Sequence, residues 1–209
     1  MATDTRERII NASGELFRRQ GYSGTGVKQI VAAAQAPFGS IYHHFPGGKE
    51  EIGVETIRSS GAIYALLIEA VIDPAPDLLT GVRDFFAGAA EHLQESDYAD
   101  ACPIATVALE VASTSEPLRR TSDEVFESWL AALAERIRGA GVDARPAREL
   151  SLQILSLLEG AFVLARASRS TEALHAAGAA ASSLVEAAPA RSGSQDDARR
   201  RPKGDRPRR

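Results

Sequence analysis

An all-α fold is predicted for this 209-residue chain, and three observations carry the prediction. No segment alternates apolar and polar residues at the two-residue period of a half-buried strand. Apolar residues recur instead at the i, i+3, i+4 spacing of a buried helical face. The runs are separated by strong breakers, Gly21, Pro46-Gly47-Gly48, Asp73-Pro74-Ala75-Pro76 and Gly139-Ala140-Gly141.

The first helix is expected from about Thr5 to Gln20, with Asp4 and Glu7 as its capping pair, Ile9, Ser13, Leu16 and Phe17 on one face, and Gly21 closing it. A short helix from about Val27 to Ala34 follows, with Val27, Ile30, Val31 and Ala34 inward and the Thr25 hydroxyl placed to cap it. After the break Gln35-Ala36-Pro37, a two-turn helix is expected from about Pro37 to Phe45, since Pro suits a helix's first turn. Ile41 and Phe45, four residues apart, anchor it and leave Phe38, Gly39, Ser40, Tyr42, His43 and His44 facing outward. A helix this short does not hold alone in water, so its neighbours must carry it. A carried helix with aromatic and hydrogen-bonding groups outward fits the reading head of a helix-turn-helix.

Lys49-Glu50-Glu51 opens a long helix reaching about Ile72. Gly47-Gly48-Lys49 is not a phosphate-binding loop: His43 stands where the motif needs a Gly, and Glu50 where it needs Ser or Thr. The next helix carries Leu78, Val82, Phe85, Phe86, Ala89 and Leu93 on one face, and residues 96–102 read as a loop. Pro103 begins a helix bearing Ile104, Val107, Ala108 and Val111. Ser115-Glu116-Pro117 caps another, with Leu118, Val125, Phe126, Trp129, Leu130, Leu133 and Ile137 on its apolar side. From about Ala144 to Arg166 comes a helix apolar on several sides, as at a subunit interface. The last helix, about Thr171 to Ala187, is rich in Ala and Gly and suits close helix approach.

Hydrophobic residues make up 44% of the chain, enough for a sizeable core. One Cys excludes a disulfide framework and suits a reducing cytosol, no signal peptide opens the chain, and no run of about 18 apolar residues is seen that could span a bilayer. The expected location is the cytoplasm, with no membrane partner. The net charge of −4 is unevenly spread. Residues 1–50 carry six Lys/Arg against four Asp/Glu, residues 51–188 carry ten against twenty-one, and residues 189–209 carry eight against three. An acidic body repels DNA, so DNA contact is confined to the ends. Residues 189–209 read as a disordered basic tail, either solubilising or weakly attracting DNA.

The stretch Gly24 to Lys49 resembles the DNA-binding domain of the TetR family of bacterial transcriptional regulators. The family's pattern is matched at Thr25, at Gly39-Ser40-Ile41-Tyr42-His43-His44-Phe45 and at Lys49-Glu50, with an apolar-patterned helix between, positions of fixed type at fixed spacing. Two positions depart from it. Gln35 stands where the family usually has a turn Gly, so the turn is expected to hold a strained non-Gly conformation. Phe38 replaces what is often a Lys, trading a phosphate or guanine contact for an apolar one such as a thymine methyl. Ala101-Cys102-Pro103-Ile104 with Ala108-Leu109-Glu110-Val111-Ala112, and Pro46-Gly47-Gly48-Lys49-Glu50, further resemble the LmrA/YxaF branch.

The resemblance implies nine helices, three for DNA within residues 1–48 and six for ligand binding and dimerisation within residues 49–188. It also implies a homodimer on double-stranded DNA, released by a small effector; members of the branch are ligand-released repressors, some answering flavonoids or drugs. The candidate DNA contacts are Thr25, Lys28, Phe38, Gly39, Ser40, Tyr42, His43, His44 and Lys49. Tyr42, His44 and Lys49 are assigned to phosphates; Phe38, Gly39, Ser40, His43 and Lys28 are placed to read bases. Phe85, Phe86, Phe126, Trp129 and Phe162 are each readable as core, and together as a pocket for a hydrophobic aromatic effector. Cys102 joins them as a small buried apolar residue without a neighbouring base.

His43 and His44 diverge by about 100° on a helix and do not form a metal site. His92 and His175 read as isolated surface residues, and Glu110 as part of a solvated polar face. No catalytic triad, paired carboxylates or cofactor motif is present, so the competing expectation, an α-helical enzyme or ligand carrier that uses the helix-turn-helix only for packing, has no residues to support it. Repressor against activator stays open from the residues alone.

Overall fold

The computed structural model describes residues 4–100 and 102–189, which form nine helices and no strand. They are α1 (Thr5–Gln20), α2 (Val27–Ala33), α3 (Ser40–His44), α4 (Gly48–Ile72), α5 (Leu78–Glu95), α6 (Pro103–Val111), α7 (Glu116–Gly139), α8 (Ala144–Ser168) and α9 (Glu172–Glu186). The basic tail read from the sequence lies outside the described residues.

Several starts follow from side-chain chemistry, those at Ser115 and Pro103 as expected. Asp77 accepts the Thr80 N–H at 2.7 Å, and the Ser115 hydroxyl accepts the Leu118 N–H at 3.4 Å, each satisfying an amide left open by a helix start. Pro103 opens α6. Two expected caps do not form. Asp4 makes no side-chain bond to α1, whose first turn stands in solvent. The Thr25 hydroxyl points inward, donating to the Gly21 carbonyl at 2.7 Å and accepting from Gln20 Nε2 at 3.2 Å. Gly26 is the true cap residue of α2, and Gln29 Oε1 accepts its N–H at 2.7 Å.

The break after α2 is a Schellman motif. Gln35 sits at φ +49°, its N–H bonds to the Ala32 carbonyl at 3.1 Å, and the Ala36 N–H reaches the Val31 carbonyl at 3.0 Å. The strained non-Gly turn expected at Gln35 is therefore present. α3 is shorter than the spacing suggested. Residues 37–39 make tight i→i+3 bonds, Ser40 N–H to Pro37 O at 2.9 Å and Ile41 N–H to Phe38 O at 3.2 Å, so regular helix begins at Ser40.

Two apolar clusters hold the bundle. One joins α5, α7, α8 and α9 around Phe86, Leu93, Ile137, Ile154 and Leu174. Gly178 permits the approach of α9 to α5, since a Cβ there would lie 2.9 Å from the Phe86 Cβ. The other cluster starts at Ile9, Phe17, Ile30, Ile41 and Phe45 and continues without interruption into Ile52, Ile57, Ile104, Leu118 and Trp129. The core thus runs from the first three helices into α4, α6 and the first half of α7.

α8 is long and apolar enough, by length and mean hydropathy, to cross a bilayer, which qualifies the expectation that no stretch could. It packs here as a bundle helix: Leu150, Ile154, Leu158 and Ala165 are buried, and α7 and α9 flank it. Leu152, Val163 and Leu164 remain exposed on its outer side.

Candidate nucleic-acid interface and effector cavity

α3 buries one side chain of its own, Ile41, and ends on the fully buried Phe45. Arg6 lays its guanidinium 5.4 Å from the Phe45 ring centroid and pairs with Glu55, so α1 and α4 clamp the end of α3. Of the remaining α3 positions, Tyr42 and His43 face solvent, while Ser40 and His44, expected to face outward, are half-buried. Phe38 and Tyr42 are 48% and 60% exposed, with ring centroids 6.3 Å apart, edge to face. Large aromatic rings set edge to face on the surface are available to an outside partner. His43 is exposed and His44 half-buried, their rings 4.8 Å apart, while Lys28 and Gly39 are exposed and Ser40 is half-buried. Between Glu15 and Glu50 the sequence has no carboxylate, whereas Arg18, Arg19, Lys28 and Lys49 lie in that interval. This end of the protein is locally cationic on an acidic body.

One more of the residues singled out for DNA is placed differently from the expectation. Thr25 is fully buried, so it shapes the α1–α2 turn from inside and is removed from the candidate DNA face. Lys49 is half-buried with Nζ 4.2 Å above the Tyr22 ring. Burial lowers its pKa, opposed by the Glu110 carboxylate, while burial and then Glu50 raise that of Tyr22.

A second feature lies behind the head. A cavity of about 380 Å³ opens between α4, α5, α7 and α8. Of the predicted pocket residues, Phe85, Phe86, Cys102, Trp129 and Phe162 line it. Phe126 does not: it packs edge-on behind Trp129, with centroids 5.7 Å apart. Trp129 is held by its indole N–H, which donates to the Gly61 carbonyl at 2.9 Å, and by Tyr64 stacked at 6.0 Å. Burial pushes the Tyr64 phenol up to about 12 and the Cys102 thiol well above its ordinary range, so Cys102 is an inert thiol, as expected.

Among the polar lining residues, sequence reasoning missed four, Tyr64, His92, Asp100 and Glu159. A Glu in the middle of the long apolar run 150–164 was the available signal for Glu159. His92 is not isolated: its Nε2 lies 3.6 Å from Asp100 Oδ2. Asp100 is buried, and its other oxygen pairs with Arg18 Nε at 3.0 Å and Arg19 Nε at 3.6 Å. A wall of the cavity is thereby ionically joined to α1. A second tie replaces the solvated face expected around Glu110. Its Oε2 accepts the Ser23 N–H at 2.6 Å, linking α6 to the α1–α2 turn. Among the described residues no group of three or more His, Cys, Asp or Glu is arranged to hold a metal ion.

Comparison with known proteins agrees with this geometry. Residues 9–55 match the family model "Bacterial regulatory proteins, tetR family", and residues 79–180 match "Transcriptional regulator LmrA/YxaF-like, C-terminal domain". The chain is 36% identical over 161 residues to the uncharacterized HTH-type transcriptional regulator YxaF of Bacillus subtilis, covering 77% of this chain and 84% of that protein. It is 32% identical over 173 residues to the HTH-type transcriptional regulator LmrA of the same organism, covering 82% and 92%. A TetR transcriptional regulator from Legionella pneumophila shares the fold with a TM-score of 0.78 at 24% identity, over 88% of this chain and 98% of that one. These relatives are regulators and not enzymes, and the α2–α3 pair with its exposed outer face is the DNA-binding helix-turn-helix. The chain belongs to the TetR family of bacterial transcriptional regulators, in its LmrA/YxaF-like branch.

Proposed function

We propose that the protein is a cytoplasmic homodimeric repressor of a palindromic operator, released by a small hydrophobic aromatic effector that enters the α4–α5–α7–α8 cavity. The carrying observation is that Asp100 faces the cavity on one side and pairs with Arg18 and Arg19 of α1 on the other. A ligand that shifts the Asp100 wall acts directly on the helix that carries the reading head. Residues 1–48 form that head, with Phe38, Gly39, Ser40, His43 and Lys28 toward bases and Tyr42, His44 and Lys49 toward phosphates. Two heads must reach major grooves about 34–36 Å apart, so a ligand need only change their separation to abolish specific binding. The exposed Leu152, Val163 and Leu164 of α8 support a second copy as the partner of that face.

The test uses the single Trp129 in the cavity wall. A planar hydrophobic ring compound should quench its fluorescence and release the DNA fragment adjoining the gene over the same concentration range. Linkage requires that DNA weaken the ligand by the same factor. Quenching without release rejects the effector reading. Full response in Trp129→Ala, read by DNA anisotropy, puts the effector elsewhere.

A further inference from the structure

The cavity has one feature that a purely hydrophobic ligand leaves unanswered. Glu159 lines it from α8, among Ile154, Leu155, Leu158 and Phe162 of the same helix. No Lys or Arg is among the residues that line the cavity, and among the described residues Glu159 has no ion pair. Its polar partner is the Cys102 thiol, a weak donor that cannot balance a carboxylate. Asp100, the other acid of the wall, has its charge paired with Arg18 and Arg19 and lies beside His92. Tyr64, Phe85, Phe86, Trp129 and Phe162 line the same space.

An uncompensated carboxyl within a set of aromatic rings is a site for positive charge. The carboxylate supplies the ion pair, and ring faces attract a cation that has lost its water. Resting on the reading of this cavity as the effector site, we infer that the effector is an aromatic organic cation, its ammonium-like group seated against Glu159. Burial pushes the Glu159 pKa up to about 7, so the empty site holds its proton below that pH. Binding of a cation favours the ionised carboxylate, and the proton leaves to solvent. The groups facing Glu159 in this reaction are Tyr64 of α4, His92 of α5, and Asp100 and Cys102 in the segment before α6. Tyr64 and Cys102 both hold their protons more firmly than usual, so neither supplies the proton released.

The test compares two probes of nearly equal shape, 1-naphthylmethylammonium and 1-naphthylmethanol, by titration calorimetry on the wild type and on Glu159→Gln. The cation should bind at least about tenfold more tightly than the alcohol, and Glu159→Gln should erase that preference. Cation affinity should rise between about pH 6 and pH 8 in the wild type and stay flat in the variant. Wild-type titrations in two buffers of different ionisation enthalpy should show proton release, a readout that survives even if Glu159→Gln fails to fold. Equal affinities, preference for the alcohol, a preference that persists in Glu159→Gln, proton uptake, or no binding of either probe each overturn the inference. DNA anisotropy separates it from the effector reading. If both probes bind and both release DNA equally, the cavity is the effector site but takes no special cation. If the cation binds through Glu159 and DNA stays bound, the ligand class stands and the effector reading fails.

Discussion

The carboxylate of Glu110 and the backbone N–H of Ser23 meet at 2.6 Å, across eighty-seven residues of sequence. The bond crosses from α6 to the turn between α1 and α2, where Gly21 sits at φ +78° and ψ 171° directly beneath the same carboxylate. That backbone region is essentially restricted to Gly. A Cβ at Gly21 would also lie 1.8 Å from Glu110 Oε1. Conformation therefore specifies Gly21, and the absence of a Cβ there leaves room for the seat of Glu110.

Gly21→Ala should destabilise the protein by about 1–3 kcal/mol through backbone strain, and should also dislodge Glu110. Chemical denaturation measures the first effect. An unchanged midpoint would show that the turn has another conformation available.

Glu110→Gln should keep the shape of this contact while removing its charge, lowering stability by about 1 kcal/mol or less at this half-exposed place. The informative readout is coupling: the factor by which an effector weakens DNA binding should shrink. A variant whose DNA affinity and effector response both match the wild type would show that the α6 tie carries no signal.

At Gln35 a Gly should relieve the positive φ while adding freedom to the unfolded chain. The net expectation for Gln35→Gly is stabilisation of about 0.5–1 kcal/mol, read as a shifted denaturation midpoint at constant slope. Destabilisation would mean that the Gln side chain contributes more than the backbone strain it imposes.

The DNA face divides by the kind of contact each residue is proposed to make. Tyr42→Ala and Lys49→Ala should weaken operator and mismatched DNA alike, with Lys49→Ala lowering the salt slope by about one. Phe38→Ala should instead lower affinity for the cognate half-site by about 1–3 kcal/mol and spare non-specific binding. Anisotropy titrations on both DNAs distinguish the two patterns, and reversal of either one reassigns that residue.

Glu159 gives stability a sign with pH. Its pKa is raised from 4.5 to about 7 in the folded protein, chiefly by burial. Between those values the folded state holds a proton that the unfolded state has released, so its contribution is fully present below the unfolded pKa and is lost as pH rises through the folded one. Thermal stability should therefore fall from about pH 5 to pH 7 by more in the wild type than in Glu159→Gln. Parallel curves would mean that the carboxyl is already hydrated in the folded state.

What the sequence determined by itself is what short spacing can carry. The i, i+4 pair Ile41 and Phe45 anchors α3 and turns Phe38, Tyr42 and His43 outward. Ser115 and Pro103 mark helix starts, and Gln35 marks a turn under strain, because caps and φ preferences act within a few residues. Tertiary structure decided which way ambiguous polar groups face. Thr25 has the chemistry of a cap, but burial beside the Gly21 carbonyl offered its hydroxyl a partner inside. Phe126 and Trp129 share an apolar helix side, yet the rotation of α7 against α4 sends only the indole to the cavity. Asp100 meets Arg18, Glu110 meets Ser23, and Glu159 meets Cys102 across long separations in the chain. Periodicity states which side of each helix is buried, but it carries no record of the offset at which two helices cross, and that offset is what brings these groups together.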